Sequence, residues 1–457
     1  MLKKHASDSA LSTYLLLLVL VAPMPGILFG EISIKLIDLF ILGISFLFLL
    51  FYMYEQQLTM QAWGKRILTD AATVFIILAS VSVVISTIYG SVQFPEDTAI
   101  SDVYELYRYV YYITFYLLSA YFVIHLERFT TALFWTVLGM QLFGIFQFFN
   151  WFNINEHIGL LYTKSDSLHM MITAQHRITS TLGNPNVYGS FLLIVLVSCL
   201  AIVYMYPSQS KRFTFMAVGL LLLTFISIFL TTSRTTVIAA FGILFYFGLL
   251  QLIIREVQIK KIILYGMLSV LVFLGIGMAL VPHIPYLESA VKNITNTLDK
   301  NANDTANESE EGQEETNRVR ESLESVGSFK SRYDYWEINK EKFMQSPILG
   351  VGPMKQSLSF ADNNYLYLLA RYGVIGLLIY GVFLFYVYIK TFRIALRKET
   401  VIEKRIIASA INAIIVAYAV MAYVAESFFN IESMIVFFFL LGLLNNPKLK
   451  IEKTGKL

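Results

Sequence analysis

Cysteine, histidine and charged residues are all scarce in this sequence. The 457-residue chain has one cysteine, Cys199, and six histidines, and only 15% of its residues are charged. A single cysteine excludes a disulfide framework and a thiolate–metal cluster. Soluble chains carry roughly a quarter charged residues, so this composition excludes a soluble enzyme, a secreted module and a disordered scaffold. The formal net charge of +3 is too small to indicate a nucleic-acid partner.

Motifs for nucleotide and metal binding are also missing. The sequence has no glycine-rich loop of the kind that cradles nucleotide phosphates, which argues against ATP-driven work. His157, His169 and His176 lack close ligand spacing, and no His-x-x-x-His pattern or carboxylate cluster accompanies them. We therefore expect neither a metal nor a cofactor.

Apolar residues, in contrast, make up 56% of the chain, which is about 256 of its 457 residues. A dozen membrane spans of about 20 residues each need about 240. Only α-helices satisfy the backbone polar groups of such long apolar runs inside a bilayer. The sequence therefore predicts an all-α polytopic membrane protein with about 12 transmembrane helices. The apolar segments lie near 11–30, 34–54, 67–90, 103–124, 129–152, 186–206, 212–230, 235–254, 261–281, 363–389, 406–428 and 433–446.

Lysine and arginine are unevenly distributed among the connections. With the N-terminus in the cytoplasm, about 20 of the 35 cations fall on the cytoplasmic side, as the positive-inside rule requires. The short connections on the other side hold Lys35, Lys164, Arg177 and Arg234. We therefore expect both termini to be cytoplasmic and one long loop to be extracytoplasmic.

The long loop divides the chain into three regions. We predict a membrane domain with the first nine helices at 1–281, the extracytoplasmic loop at 282–362, and three more helices with a cytoplasmic tail at 363–457. Residues 299–324 are mostly Asn, Glu, Ser and Thr, and such a segment buries too little surface to become ordered. Residues 329–360 regain aromatic residues at helical spacing. We therefore expect a mobile part and an ordered helical part that packs on the membrane domain.

Three arginines fall on the predicted extracytoplasmic side, where the topology rule selects against cations. Arg177 precedes the sixth segment, Arg234 lies in the turn between the seventh and eighth, and Arg332 opens the helical part of the long loop. Guanidinium groups donate bidentate hydrogen bonds and stay charged, so three at one depth would clamp a phosphate group. The alternative is that each arginine anchors the chain at the membrane interface.

Polar residues at two predicted helix starts belong to the same side. Asn184-Pro185-Asn186 is a typical helix beginning, and the free amides of such a beginning also attract anions. Asp362 and Asn363 lie where the long loop returns to the membrane. Partial desolvation there would suit Asp362 to a general base. The alternative is that Asp362 only caps the tenth span.

Charged residues also fall within the predicted spans. Arg371 lies about 13 Å beyond Asp362 at 1.5 Å per residue, deep enough that it must face protein or water. We expect it either to contact substrate or to pair with a carboxylate such as Asp70. Glu105 and Arg108 are three residues apart, and this spacing predicts an ion pair on a helix surface.

Together these motifs resemble those of the bacterial O-antigen polymerase and ligase family, from about Arg177 to Gly376. In the ligase branch a histidine stands where this chain has Asp362, and this departure favours a polymerase of repeat units. The resemblance is carried by the stretch 177–186, Ser233-Arg234, the stretch 332–336, Pro347-Ile-Leu-Gly-Val-Gly, and Asp362-Asn363 followed by nine residues and Gly373-Val-Ile-Gly376.

The resemblance implies a GT-C-like glycosyltransferase of the bacterial cytoplasmic (inner) membrane with an extracytoplasmic active site. Its donor and acceptor would be glycans on undecaprenyl diphosphate, joined into a capsule, an exopolysaccharide or an O-antigen. Flippase and chain-length regulator proteins would be further partners. Two alternatives stay open: a ligase that passes a finished glycan to another acceptor, and a secondary transporter or flippase, which Arg371 favours.

The residues and the resemblance together predict a site. Asp362 and Arg332 are expected to be catalytic, with Asp362 accepting the proton of the incoming sugar hydroxyl. The anomeric carbon would invert in one displacement, and arginines would replace a metal in stabilising the leaving diphosphate. The residues expected to bind substrate are Arg177, Asn186, Arg234, Tyr333, Asn363 and Arg371.

Overall fold

The structure, a computed structural model, is a bundle of α-helices. The prediction that residues 299–324 are mobile lies outside the described residues. The residues that the structure describes are 2–23, 26–29, 32–55, 59, 61, 64–65, 68–122, 124–163, 166–205, 211–254, 258–284, 327–355, 357–358, 361–447 and 449.

Helices dominate these ranges, as the sequence predicts, apart from one short hairpin. Strands β1 (Gly26–Phe29) and β2 (Ile32–Lys35) pair antiparallel, with Phe29 opposite Ile32. The α-helices are α1 Leu2–Val21, α2 Leu36–Glu55, α3 Ala71–Gln93, α4 Tyr104–Tyr121, α5 Leu126–Phe149, α6 Ile154–His157, α7 Asp166–Thr173, α8 Pro185–Met205, α9 Lys211–Leu230, α10 Arg234–Ile254, α11 Ile259–Leu280, α12 Gly327–Gln345, α13 Asn364–Leu396, α14 Ile402–Met421 and α15 Ile431–Asn445.

Each of the twelve predicted apolar segments overlaps one of these helices. Eight helices in the described ranges are long and apolar enough to cross a membrane, namely α3, α5, α8, α9, α10, α11, α13 and α14. The apolar parts of α1, α2 and α15 are shorter. The apolar helices make this a multi-pass membrane protein, while a count of twelve spans stays a prediction.

The centre of the bundle is formed by α8 and α15. All residues from Glu432 to Leu444 on α15 are buried, and this helix packs against α4, α8 and α14. A helix that is apolar on all sides is stable only when it is surrounded. The short α15 is therefore a core helix, surrounded by other helices.

The helix ends define two ends of the bundle. At one of them, here called the site end, α8, α10, α13 and α15 begin while α9 and α14 end. Contacts join these termini: Tyr418 Oη donates to the Ser190 carbonyl at 2.9 Å, and Asn430 Nδ2 donates to Ser190 Oγ at 3.2 Å. The opposite end carries the cations Arg128, Lys211, Arg212, Lys260, Lys261, Lys390, Arg393, Arg397, Lys398, Lys404 and Arg405.

A loop that follows α12 packs into a break in α13. Gly373, inside α13, has φ +63° and ψ −166°, a combination essentially restricted to glycine. The break exposes backbone groups to the loop: the Val374 N–H donates to the Pro347 carbonyl at 2.9 Å, and the Val351 N–H donates to the Ala370 carbonyl at 2.9 Å. The glycine therefore serves the contact between helix and loop.

The same loop is tied to α4 by a buried charge cluster. Glu105 and Arg108 form the predicted ion pair at 3.1 Å, but both side chains are buried. Glu105 also accepts a hydrogen bond from Tyr367 Oη at 2.6 Å and pairs with Lys355 Nζ at 3.1 Å. The prediction of a surface pair is wrong because residue spacing sets which side chains meet and not which helix face is covered.

Candidate active site

Asp362 and Arg332 meet at the site end of the bundle. Arg332 Nε lies 3.4 Å from Asp362 Oδ2, and the two side chains are 22% and 39% exposed. Trp336 Nε1, one helical turn further along α12, donates to the Asp362 carbonyl at 3.5 Å. One face of α12 therefore places a positive charge and an indole ring beside an accessible carboxylate.

Asn363, and not Asp362, caps α13. The Asn363 Oδ1 accepts the N–H groups of Tyr365 at 2.9 Å and Leu366 at 3.1 Å. Asp362 has a φ of +45°, which is uncommon for a residue other than glycine. The alternative that Asp362 is the helix cap is therefore wrong, and its carboxylate is not used by the helix end.

The unusual backbone at Asp362 is held by the connection between α14 and α15. On one side, the Ala361 N–H donates to Glu426 Oε1 at 2.7 Å. On the other side, Asn364 Oδ1 accepts the Phe428 N–H at 3.1 Å. A strained residue persists only where its surroundings fix it from several directions, and these contacts supply that restraint.

Glu426 is a second carboxylate beside Asp362 that the sequence analysis missed. Burial and then the charge of Asp362 raise the pKa of Glu426, whereas Arg371, the Ala361 N–H and Arg108 act in the opposite direction. The carboxyl group of Glu426 therefore keeps its proton to a higher pH than usual. The eleventh predicted apolar segment extends to residue 428, but α14 ends at residue 421, which leaves Glu426 in the connection at the site end.

Arg371 lies inside the protein, with 1% of its surface exposed. Its Nε donates to the Pro353 carbonyl at 2.9 Å, and its Nη2 donates to the Leu358 carbonyl. The guanidinium group also stacks on the Tyr367 ring at 3.9 Å. Asp70, the carboxylate considered as its partner, caps α3 instead. These contacts fasten the loop that precedes Asp362 to α13.

Arg177 and Arg234 lie at the turn between α9 and α10. Arg177 Nε donates to the Thr231 carbonyl at 3.2 Å, and the Ile178 N–H donates to the Leu230 carbonyl at 3.2 Å. Arg234 begins α10 three residues after Thr231 and is exposed. Burial lowers the pKa of Arg177, although an arginine side chain stays protonated in proteins. The turn therefore carries two positive charges.

The beginning of α8 carries Asn186, another of the predicted substrate-binding residues. Asn184 is its cap, because Asn184 Oδ1 accepts the Asn186 N–H at 2.8 Å. Asn186 is exposed in the first turn, and its carbonyl accepts a hydrogen bond from Ser190 Oγ at 3.0 Å. Since Ser190 Oγ also accepts from Asn430, α8 contacts the connection that holds Asp362.

The predicted site residues thus form two groups at one end of the bundle, while Arg371 is interior. The α14–α15 connection adjoins both groups: Glu426 binds the N–H of Ala361, next to Asp362, and Asn430 donates to Ser190, whose hydroxyl donates to the Asn186 carbonyl. Arg332, Tyr333, Asp362 and Asn363 make up the first group, and Arg177, Asn186 and Arg234 make up the second.

An open groove of about 810 Å³ runs along α12 and reaches Leu366 near the start of α13. Its link to Asp362 is Trp336, which lines the groove and donates to the Asp362 carbonyl. Its lining includes Tyr333, Trp336, Lys340 and Glu341 from α12 and Leu366 from α13. A smaller apolar cavity of about 150 Å³ lies at the opposite end, where α5 and α14 begin, and is remote from these residues. Across the described ranges, no three His, Cys, Asp or Glu side chains are grouped so that they could hold a metal ion.

Part of the chain matches a known protein family. Residues 219–381 match the family model of O-antigen ligase (Wzy_C), and none of the curated proteins matches the chain. The match confirms the resemblance to the O-antigen polymerase and ligase family, and it indicates membrane glycan transfer of that type. The matched segment includes Arg234, Arg332, Tyr333, Asp362, Asn363 and Arg371, whereas Arg177, Asn186 and Glu426 lie outside it.

Proposed function

We propose that the protein is a polymerase that joins oligosaccharide repeat units, carried on undecaprenyl diphosphate, into a surface polysaccharide. The family match supports glycan transfer in a membrane. The observation that carries the proposal is the contact of the Asp362 carboxylate with the Arg332 guanidinium at 3.4 Å. A base beside a phosphate-binding cation is what this transfer requires.

In the proposed reaction, the acceptor hydroxyl oxygen bonds to the anomeric carbon of the donor glycan, which inverts. The bond from that carbon to the diphosphate oxygen breaks, and undecaprenyl diphosphate leaves with the electron pair. Asp362 takes the hydroxyl proton. Arg332 stabilises the negative charge that develops on the diphosphate, and Arg177 and Arg234 hold its oxygens. The chemistry needs no metal in this scheme.

The ion pair between Arg332 and Asp362 is compatible with this division of labour. Both side chains are partly exposed, and such pairs contribute only about 0–1 kcal/mol to stability. Arg332 can therefore leave Asp362 for a diphosphate at little cost, and the carboxylate then becomes available to the hydroxyl proton. We propose that catalysis begins with this exchange.

Two predicted substrate ligands receive other roles. Arg371 is bonded to backbone carbonyls and buried, so we assign it to positioning the loop before Asp362. Asn363 is the cap of α13, and we assign it to holding Asp362 at the helix start. Asn186 and Tyr333 are exposed and stay in the proposed substrate-binding set.

We place the site end outside the cytoplasm of a bacterial inner membrane. The connection cations gather at the opposite end, and the positive-inside rule puts that end in the cytoplasm. Both termini would then be cytoplasmic. The charged residues of the site lie at the rim of the bundle, whereas transporters place ionisable groups near the bilayer midplane, which disfavours a transporter or flippase.

A ligase remains the second candidate, because the matched family is described as O-antigen ligase. The surface glycan of a deletion strain separates the three reactions. Single repeat units on the surface indicate a lost polymerase, full-length chains retained on the lipid carrier indicate a lost ligase, and cytoplasmic lipid-linked units indicate a lost flippase. Either of the last two results contradicts the proposal.

The site is tested separately with purified full-length protein and lipid-linked repeat units, with the products sized. Asp362→Asn keeps the shape of the side chain and removes the base, so elongation should fall at least about 100-fold. Arg332→Gln should do the same. Long glycan from either variant would remove that residue from the mechanism.

A further inference from the structure

The groove along α12 is bordered by aromatic side chains. Tyr333, which lines the groove, is 46% exposed, and Tyr423, from the α14–α15 connection beside it, is 61% exposed. Trp336 lies between them, with ring centroids 5.4 Å from Tyr333 and 5.7 Å from Tyr423. Each pair meets nearly edge to face, at 71° and 67°. The indole therefore supports two tyrosine rings whose surfaces face the outside.

The charges around the groove argue against an anionic ligand in it. Glu337, Lys340 and Glu341 line it, and all three are exposed. Two acids and one base give this stretch no excess of positive charge, so a diphosphate finds no clamp here. Side chains of this kind do donate to and accept from the hydroxyl groups of sugars, whose apolar ring faces pack on aromatic rings.

The groove and the turn that carries Arg177 and Arg234 lie on different sides of the α14–α15 connection. The connection between α14 and α15 contacts Trp336 through Tyr423 near its beginning, and contacts Ser190 through Asn430 at its end. Asp362 lies beside the middle of this connection, where Glu426 binds the neighbouring Ala361 N–H. The groove therefore adjoins the beginning of the connection through Trp336, whereas α8 adjoins its end.

We propose that this groove binds the acceptor glycan through a sugar ring stacked on Tyr333 or Tyr423, with the attacking hydroxyl directed at Asp362. The groove has a volume of about 810 Å³ and is open to the outside, so an oligosaccharide can enter it from the solvent. This inference rests on the proposed function and adds to it a division of the site into a diphosphate side and an acceptor side.

The test measures binding of the repeat-unit oligosaccharide released by mild acid from the lipid carrier, which has no diphosphate and no lipid. The full-length protein in detergent should bind it, and Tyr423→Ala or Tyr333→Ala should weaken the binding at least tenfold. Tyr423→Phe should bind as the wild type does, because stacking needs the ring and not the hydroxyl. Tyr54→Ala, which removes an exposed tyrosine of α2 (82% exposed), is the matched control and should change nothing.

The outcomes distinguish the groove from the proposed reaction. Asp362→Asn should bind the released oligosaccharide as tightly as the wild type while failing to elongate it on the lipid carrier. If the wild type does not bind the oligosaccharide, or if both alanine variants bind it unchanged, the groove is not the acceptor site. If the groove binds but Asp362→Asn still elongates, the catalytic assignment fails and the groove proposal survives.

Discussion

Replacing Gly373 by alanine should destabilise the protein more than any other single methyl group added to α13. Gly373 has φ +63° and ψ −166°, a region that side chains avoid. A Cβ at this position would also come closer than 3.0 Å to the Ile348 carbonyl and the Gly350 nitrogen. Both are backbone atoms of the loop that packs into the break of the helix, so they cannot move aside without moving the loop.

The loss of stability in Gly373→Ala has two causes, the unfavourable backbone angles and the close contact with the loop. A residue forced into such a backbone region costs about 1–3 kcal/mol, and overpacking a tight contact costs typically about 1–3 kcal/mol. We therefore expect the free energy of unfolding to fall by about 2–6 kcal/mol. The loop is the one that Arg371 fastens ahead of Asp362, so glycan elongation should fall as well.

The assay is unfolding of the purified full-length protein in detergent, followed by intrinsic fluorescence. Gly381→Ala is the matched control, because this glycine lies on the same helix and an added Cβ would meet no heavy atom within 4 Å. Its free energy of unfolding should stay within about 1 kcal/mol of the wild type, towards higher stability. Equal stability of the two alanine variants would refute the described packing of the loop against α13.

Three further variants test the charges around the site. Burial raises the pKa of Glu426 in the folded protein, so the stability that the protonated carboxyl group contributes is full at low pH and is lost as the pH rises through the folded-state pKa. Glu426→Gln does not titrate and should therefore gain stability relative to the wild type as the pH rises. A difference in melting temperature that does not change with pH would contradict this. Glu105→Ala leaves Arg108 buried, and Lys355 partly buried, without their carboxylate. The free energy of unfolding should therefore fall by about 3–5 kcal/mol, and a fall below about 1 kcal/mol in denaturant unfolding would be evidence against the cluster. Asp362→Asn should unfold at the wild-type temperature, since the capping residue is its neighbour, and a large drop in melting temperature would show that Asp362 is structural.

The helices were predictable because their signal is local. Long apolar runs in a bilayer must satisfy their own backbone hydrogen bonds, and each of the twelve segments overlaps a helix. Their limits were less predictable: the eleventh segment extends to residue 428, while α14 ends at Met421. That difference of about two turns concealed Glu426, because it placed the residue inside a span and not in the connection at the site end.

The candidate site was predictable in part. Asp362, after the long loop, and Arg332, at the start of its helical part, were expected in one site, and their side chains meet. That Arg177 and Arg234 serve the same site stays a prediction. The role of Arg371 was not predictable, because a helical position says only that a side chain must face protein or water. Its partners, the Pro353 and Leu358 carbonyls, come from a loop whose path the sequence does not encode locally.

The sequence by itself determined that the chain is helical and multi-pass, because hydrophobic length and composition act through short-range physics. Only the tertiary structure decided which polar residues share a site. Arg332 and Asp362 are 30 residues apart in the chain, and their contact depends on how α12 lies against the start of α13. The tertiary structure also decided that Asn363 caps α13 while Asp362 faces Arg332. Both residue types cap helices well, so the backbone angles that packing imposes determine which of the two becomes the cap.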